Sequence, residues 1–353
     1  MKNIPVLLAA LLLAAACNKA NETPAPNAPE EFGTIDFSIT VPEAAETKAI
    51  SQYTTVQPYE TAIKSVQVLV FDTDGKLNHY QSGTALSGSF TTTSGNKTVW
   101  AVVNGPDLSS ITTSTGLQES IFDISLNETG ASGGFVMAGD KFCVVSATSS
   151  SNCIISVKRF LCRIALVSVT NNLPASYGTI TINRVFLSNV TGAISAAGSF
   201  ISGCGYINQN GRADKDPRNA ADIIGTSGNN ASCPDLTCNS NSFTVANAQT
   251  QSLTNPVLLY AYPNSNTTAP NGFQSPYVAR GTTLVVEASV NNQTCYYPVL
   301  MKRGVERNKL YSIGLTLTAL GSNDPEVLIE KGSASFSISI ADWESGAVYE
   351  ETI

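Results

Sequence analysis

This chain of 353 residues has few of the residues that most catalytic and nucleic-acid-binding sites require. It holds a single histidine, His79, and only 13% of its residues are charged. One histidine rules out nearly all hydrolase and metal schemes built on imidazole groups. The 20 basic residues form no run and are outnumbered by 27 acidic ones. Binding to a phosphate backbone is therefore not expected.

Long helical patterns and membrane-length apolar runs are also missing. The apolar run from Ile4 to Ala16 is too short for a bilayer, which takes about 20 residues. Short alternating segments rich in Ser, Thr, Asn and Gly recur instead, which is typical of extracellular β-proteins. We therefore predict an all-β chain with two β-sandwich domains, residues 49–158 and 159–353. One short helix is expected over 117–126, where apolar residues recur at roughly helical spacing.

The N-terminus has the features of a secretion signal over residues 1–17. Lys2 supplies the positive start, and Ala14 to Ala16 form a small-residue cleavage site before Cys17. The local pattern resembles a bacterial lipobox, in which the cysteine is acylated after cleavage. An ordinary secretory signal with a chance cysteine is the alternative. Residues 18–48 would then hold a flexible tether and the first strand.

That first strand is the most informative segment. Ile35, Phe37, Ile39 and Val41 alternate with polar residues, the pattern of a strand with one buried face. The polar stretch that follows contains Lys48–Ala49, a bond that a trypsin-like protease could cut. The first strand is therefore predicted to be removable.

A near-copy of this strand lies close to the C-terminus. Phe336, Ile338 and Ile340 repeat its spacing, and Val348 follows in the tail. Either this C-terminal segment enters the groove that the first strand leaves in a neighbouring subunit, or 335–341 is the closing strand of the second sandwich. Donation of a strand supplies main-chain hydrogen bonds for affinity and alternate side chains for register.

Two sequence motifs match a catalytic elbow and a calcium-binding loop, but the residues that these sites also require are missing. Residues 130–134 match a Gly-x-Ser-x-Gly elbow, yet no histidine lies downstream and no helix follows, so we predict a glycine-rich loop. Residues 72–75 match the start of a calcium loop, but the glutamate needed at position twelve is replaced by Gly83, so we predict a hairpin turn. No pair of carboxylates stands out as catalytic. We expect no enzyme activity, no metal and no cofactor.

The cysteines that follow Cys17 fall into three groups. Cys143 and Cys153 flank the 146–150 loop of a predicted hairpin, where they could form a cross-strand disulfide. Two further cysteines, 162 and 295, lie in apolar strands and are predicted to be buried thiols. Cys233 and Cys238, with Cys204, could cross-link the 203–242 loop or hold a metal. Because no histidine lies nearby, a loop disulfide, or none, is favoured over a metal.

Several motifs together resemble the Bacteroidetes-type fimbrillins, the lipoprotein-derived subunits of type V pili. Each is weak alone, but their order and the lipobox are fairly specific, and they span the chain from Cys17 onward: 63–75, 100–104, 157–164, 261–264, 307–313 and 340–343. The resemblance implies two transthyretin-like antiparallel sandwiches in tandem, export as an outer-membrane lipoprotein, and removal of the first strand by an Arg- or Lys-specific protease. It also implies assembly with copies of itself or related pilins. Cys162 departs from the usual alanine, and Lys48 from the commoner arginine.

We therefore interpret the chain as a structural subunit of a surface fimbria, for which the resemblance to that family implies a role in adhesion. The alternative is a monomeric surface lipoprotein that binds glycans, or a tip or anchor subunit in place of a stalk subunit. The adhesion ligand has no signature in the sequence.

Overall fold

The computed structural model describes residues 30–42, 56–199, 206–207, 213–214, 234–269, 280–329, 334–343 and 348–352. Most of this part of the chain is β-structure, as the composition predicts. The strands are β1 Phe32–Thr40, β2 Val66–Asp72, β3 Leu77–Gly83, β4 Ser87–Thr93, β5 Gly95–Val103, β6 Ile121–Asp123, β7 Met137–Val145, β8 Ser151–Ser156, β9 Lys158–Arg159, β10 Cys162–Asn171, β11 Ile180–Ser188, β12 Val190–Thr191, β13 Ala193–Ser195, β14 Tyr206–Ile207, β15 Ala213–Asp214, β16 Cys238–Asn239, β17 Phe243–Val245, β18 Gln249–Ala261, β19 Thr283–Val290, β20 Gln293–Leu300, β21 Lys309–Leu317, β22 Ala334–Asp342 and β23 Val348–Thr352. The helices are short: α1 Pro58–Thr61, α2 Ser114–Glu119 and α3 Pro234–Thr237.

The N-terminal half is a sandwich of two sheets. One sheet has the order β4-β1-β8 and the other β3-β2-β5-β7-β9. Both faces of β2 are buried, because other parts of the molecule pack against each of them. Val66, Val68 and Val70 pack toward the β4-β1-β8 sheet, while Leu69 and Phe71 join the core shared with the C-terminal half.

The C-terminal half is a second sandwich. Its larger sheets have the orders β18-β10-β21-β22-β23 and β16-β11-β19-β20, with β17 beside β11. The chain passes from the first sandwich to the second between β9 and β10. β9 pairs with β7, whereas β10 pairs with β18 and β21. A ladder between β6 and β13 joins the two halves. The predicted all-β class with two sandwiches in tandem is confirmed.

The predicted hairpin turn after β2 is also confirmed. β2 and β3 pair antiparallel, and the Gly75 N–H donates to the Asp72 carbonyl at 2.9 Å. Gly75 has a φ of 81°, which glycine adopts without the steric cost of a side chain. The turn residues are therefore explained by chain reversal.

Two local predictions were wrong. The helix expected over 117–126 ends at Glu119, because 121–123 pairs as β6 with β13 and 124–126 is a 3-10 turn. The hairpin expected around 146–150 is not formed, because β7 pairs with β5 while β8 pairs with β1 in the opposite sheet. In both cases a partner distant in sequence overrides the local pattern.

The two buried thiols are as predicted. Cys162 and Cys295 are free and buried. Burial raises the pKa of the Cys162 thiol to about 12, because an apolar environment disfavours the thiolate. Among the described residues no helix is long and apolar enough to cross a membrane.

Candidate functional site

The candidate site is the groove between β4 and β8, defined as the space that β1 occupies. β1 pairs antiparallel with β4 and parallel with β8, so both of its edges are hydrogen-bonded. Pairing extends past the strand ends, where the Ser94 N–H donates to the Glu31 carbonyl at 2.7 Å and the Val157 N–H donates to the Thr40 carbonyl at 3.1 Å. β1 therefore completes a sheet that would otherwise have a gap in its middle.

The alternating side chains of β1 behave as their pattern suggests. Ile35, Phe37 and Ile39 are at most 6% exposed and lie in one core cluster, while Asp36 is exposed. Val41 is half-buried and packs against the same cluster. Burying each of the three apolar side chains stabilises the fold by about 1.5–3 kcal/mol relative to exposure.

Phe37 is the largest buried side chain of β1. Its ring lies 5.8 Å from the ring of Phe90 on β4, and it faces Cys153 of β8 in register. A Cβ placed on Gly88 of β4 would lie 2.9 Å from the Phe37 ring. Glycine at 88 thus leaves the room that an aromatic ring needs, a role that sequence analysis missed because glycine usually weakens a strand.

The single histidine lies behind this position. The His79 ring stacks on Phe90 with centroids 4.2 Å apart. Burial lowers the pKa of the imidazole, because the charged form loses hydration. The histidine is therefore part of the packing under β4.

The entrance of the groove admits only a small side chain. A Cβ on Gly33 would lie 2.1 Å from the Ser146 carbonyl oxygen, far inside van der Waals contact. The main chain of β1 therefore passes directly against the loop that follows β7. This close approach helps to set the register, since a shift of one residue would bring Phe32 or Thr34 against that carbonyl.

The far end of β1 reaches a buried polar cluster between the two halves. The fully buried Arg159 donates from Nη2 to the Pro42 carbonyl and from Nε to the Glu60 carbonyl, both at 2.8 Å. Its guanidinium carbon lies 4.5 Å from the centroid of the Trp343 ring. Arg163 forms a buried ion pair with Glu60 at 3.1 Å. The strand end, α1 and the residue after β22 thus converge on one point.

The cysteines join the two sheets of the N-terminal sandwich. Cys143 on β7 and Cys153 on β8 form a disulfide that crosses between the sheets, in place of the cross-strand bridge expected in a hairpin. Cys238 has a free thiol, and Cys204 and Cys233 lie outside the described residues. No group of three or more metal-ligating side chains occurs in the described ranges.

The second copy of the strand pattern lies in the C-terminal sheet. β22 pairs antiparallel with β21 on one side and β23 on the other. Ile338 is 4% exposed, and Phe336 and Ile340 are half-buried against the C-terminal core. The backbone of Val348 pairs with Ala341. β23 is therefore the edge strand, and β22 is internal.

The structure does not describe the residues predicted for lipidation and for proteolytic cleavage. Cys17, Lys48 and Ala49 all lie outside the described residues. The part of the chain that the structure describes stops at residue 42 and resumes at 56, on either side of Lys48.

Comparison with known proteins agrees with this geometry. Residues 35–183 match the family model described as the major fimbrial subunit protein FimA. A fimbrilin from Porphyromonas gingivalis W83 is 13% identical, covers 89% of this chain and 98% of its own, and has a TM-score of 0.60. A cell adhesion protein from Bacteroides eggerthii is 16% identical with a TM-score of 0.59, and the match covers 90% of this chain and 98% of that protein. No match was found among curated proteins.

Proposed function

We propose that this protein polymerises by donor-strand exchange into a surface fimbria, because residues 35–183 match the family model of the major fimbrial subunit and the fold is similar to that of a fimbrilin. The family and the fold are those of structural subunits and not of enzymes. Membership of the family implies association with other fimbrial subunits at the cell surface. Strand exchange, protease processing and lipid anchoring are the proposed steps.

The observation that supports strand exchange is the position of β1. It lies between β4 and β8, and it is joined to the remainder of the described chain only through residues 43–55. A cut after Lys48 would leave β1 held by hydrogen bonds and packing alone. The strand could then leave and be replaced by a donor segment, without breaking any other ladder.

We propose that the donor is the C-terminal segment 344–353, which contains β23, and that β22 stays in place. Within the described residues β23 is paired on one side only, so its release breaks one ladder. Release of β22 would also separate it from β21 and expose Ile338. An edge strand is the cheaper segment to donate, because unpaired backbone groups are already present on its free side.

This function is tested by preventing the cleavage after Lys48. Lys48→Gln should block conversion of the precursor by trypsin into ladders that resist SDS, whereas Lys19→Gln, in the tether before β1, should leave conversion unchanged. The mature wild-type chain should begin at Ala49 by N-terminal sequencing. Assembled fibres whose subunits begin at Cys17 would contradict the proposal. An uncut monomer that binds a glycan array and forms no ladder would favour the glycan-binding alternative.

Anchoring at the outer membrane is proposed to depend on acylated Cys17. The support is the run of small residues before this cysteine, which matches a lipobox. Cys17→Ser should leave the protein out of the detergent phase, because serine does not accept the lipid. Unchanged partitioning would contradict a lipid anchor at this residue.

A further inference from the structure

The two strands that border the groove are attached to the rest of the sandwich in different ways. β4 is tied to the facing sheet by side chains: Asn78 of β3 donates to Thr93 Oγ1 at 2.9 Å, and the Thr93 N–H donates to Asn78 Oδ1 at 3.1 Å. Thr92 also hydrogen-bonds Asn78. None of these contacts involves β1. β4 therefore keeps polar attachments when β1 leaves.

β8 has no comparable set of contacts. In the described part of the chain its only strand ladder is the one with β1, six residue pairs from Ser151 to Ser156. Loss of β1 removes that ladder completely. The inward side chains of Cys153 and Ile155 then hold the strand, together with the short connections at its two ends.

The disulfide is placed at the middle of this strand. Cys153 lies in register with Phe37 of β1, and it is fully buried. Its partner Cys143 belongs to β7, which pairs with β5 over nine residue pairs. That ladder does not include β1. The bond therefore connects the strand that depends on β1 to a strand that does not.

We propose that the Cys143–Cys153 disulfide holds β8 in position while the groove is empty, so that the subunit can accept a donor strand. This inference rests on the proposed strand exchange. With β1 in place, β8 has both its ladder and the disulfide. After β1 has left, the disulfide still ties β8 covalently to β7 of the facing sheet, and so keeps β8 at its distance from β4. Without it, β8 moves and the pairing edge for the donor is lost.

The experiment compares the cut subunit with and without the bond. The precursor, its Cys143→Ala/Cys153→Ala variant and a Cys162→Ala/Cys295→Ala control are each cut with trypsin under native conditions. The control removes the same number of sulfur atoms from the C-terminal half, where both thiols are free. Each is then mixed with an excess of a labelled peptide of residues 31–42. Stable uptake per subunit is measured by size-exclusion chromatography.

We expect the wild type and the control to take up about one peptide per subunit, and the disulfide-free variant to take up at least tenfold less. Before the cut, circular dichroism should show all three folded. Equal uptake by the disulfide-free variant would overturn the proposal.

Reduction supplies a second measurement that does not depend on folding of the variant. Dithiothreitol added to the cut wild type converts the disulfide to two thiols and is itself oxidised to the cyclic disulfide. Uptake should fall to the level of the variant, and unchanged uptake with both thiols shown free by alkylation would overturn the proposal. If the oxidised wild type takes up no peptide and forms no ladder, strand exchange itself is wrong, which is a distinct result.

Discussion

At the scale of single residues, two glycines, one on β4 and one on β1, permit close contacts in the groove because they carry no side chain. Gly88 makes room for the Phe37 ring, and Gly33 lets the main chain pass the Ser146 carbonyl. The Ser146 carbonyl and Gly88 of β4 thus favour a strand with a small residue at the entrance of the groove and an aromatic residue four positions later. A donor strand that fits must meet the same two conditions.

The residue-scale prediction concerns Phe37. Phe37→Ala should lower the free energy of unfolding of the precursor by about 3–5 kcal/mol, because it leaves a cavity between Phe90 and Cys153. The measurement is urea denaturation at equilibrium. Asp36→Ala is the matched control on the exposed face of the same strand and should change stability by less than about 0.5 kcal/mol. Equal effects of the two substitutions would mean that β1 is not inserted as described.

At the scale of elements, the two strands of similar sequence differ in their surroundings. β1 and β22 both alternate apolar and polar residues, but β22 continues into Trp343, which is fully buried against Arg159 and Tyr260. The backbone N–H of Trp343 also donates to the Asn308 carbonyl at 3.1 Å. The end of β22 is thus part of the contact between the two halves, while β23 lies beyond it at the sheet edge.

The element-scale prediction separates these two strands. Deletion of 344–353 should leave a folded monomer that forms no polymer, because it removes β23 and keeps β22. Ile338→Asp should unfold the C-terminal half, because it buries a carboxylate in an apolar core. Ser337→Asp, on the exposed neighbour, is the control and should stay folded. Circular dichroism and SDS ladders measure the two properties, and normal polymer from the deleted chain would exclude C-terminal donation.

At the scale of the whole molecule, the two sandwiches are joined by buried polar contacts as well as by apolar packing. Glu60, from the N-terminal half, accepts from Arg163 and from the Tyr260 hydroxyl of the C-terminal half, the latter at 2.7 Å. Burial is the main cause that raises the pKa of Tyr260, and the nearby Glu60 carboxylate raises it further. The ion pair therefore holds the two halves in one arrangement.

The prediction at this scale is a contrast between two ion pairs. Glu60→Gln should lower the free energy of unfolding by about 3–5 kcal/mol, because it leaves the Arg163 charge buried without its counter-charge. Glu128→Gln breaks the solvent-exposed pair with Lys64 and should cost less than about 1 kcal/mol. Urea denaturation followed by tryptophan fluorescence measures both. Similar small losses would show that the buried pair contributes little to the joining of the halves.

Much of the fold follows from the sequence alone, because it depends on local patterns. Period-2 alternation predicts strands such as β1, Asp72–Gly75 predicts the β2–β3 turn, and apolar surroundings predict the buried thiols of Cys162 and Cys295. The family resemblance likewise rests on short strings whose order can be read directly.

Only the tertiary structure decided which strands are partners. β7 and β8 are adjacent in sequence and flank a short loop, yet they belong to opposite sheets, since β8 pairs with a strand more than a hundred residues earlier in the chain. Alternation indicates which face of a strand is buried but not which edges are paired, so β1 and β22 look alike in sequence. The roles of Gly33 and Gly88, and the convergence of Pro42 and Trp343 on Arg159, arise from contacts between distant segments, which no local pattern encodes.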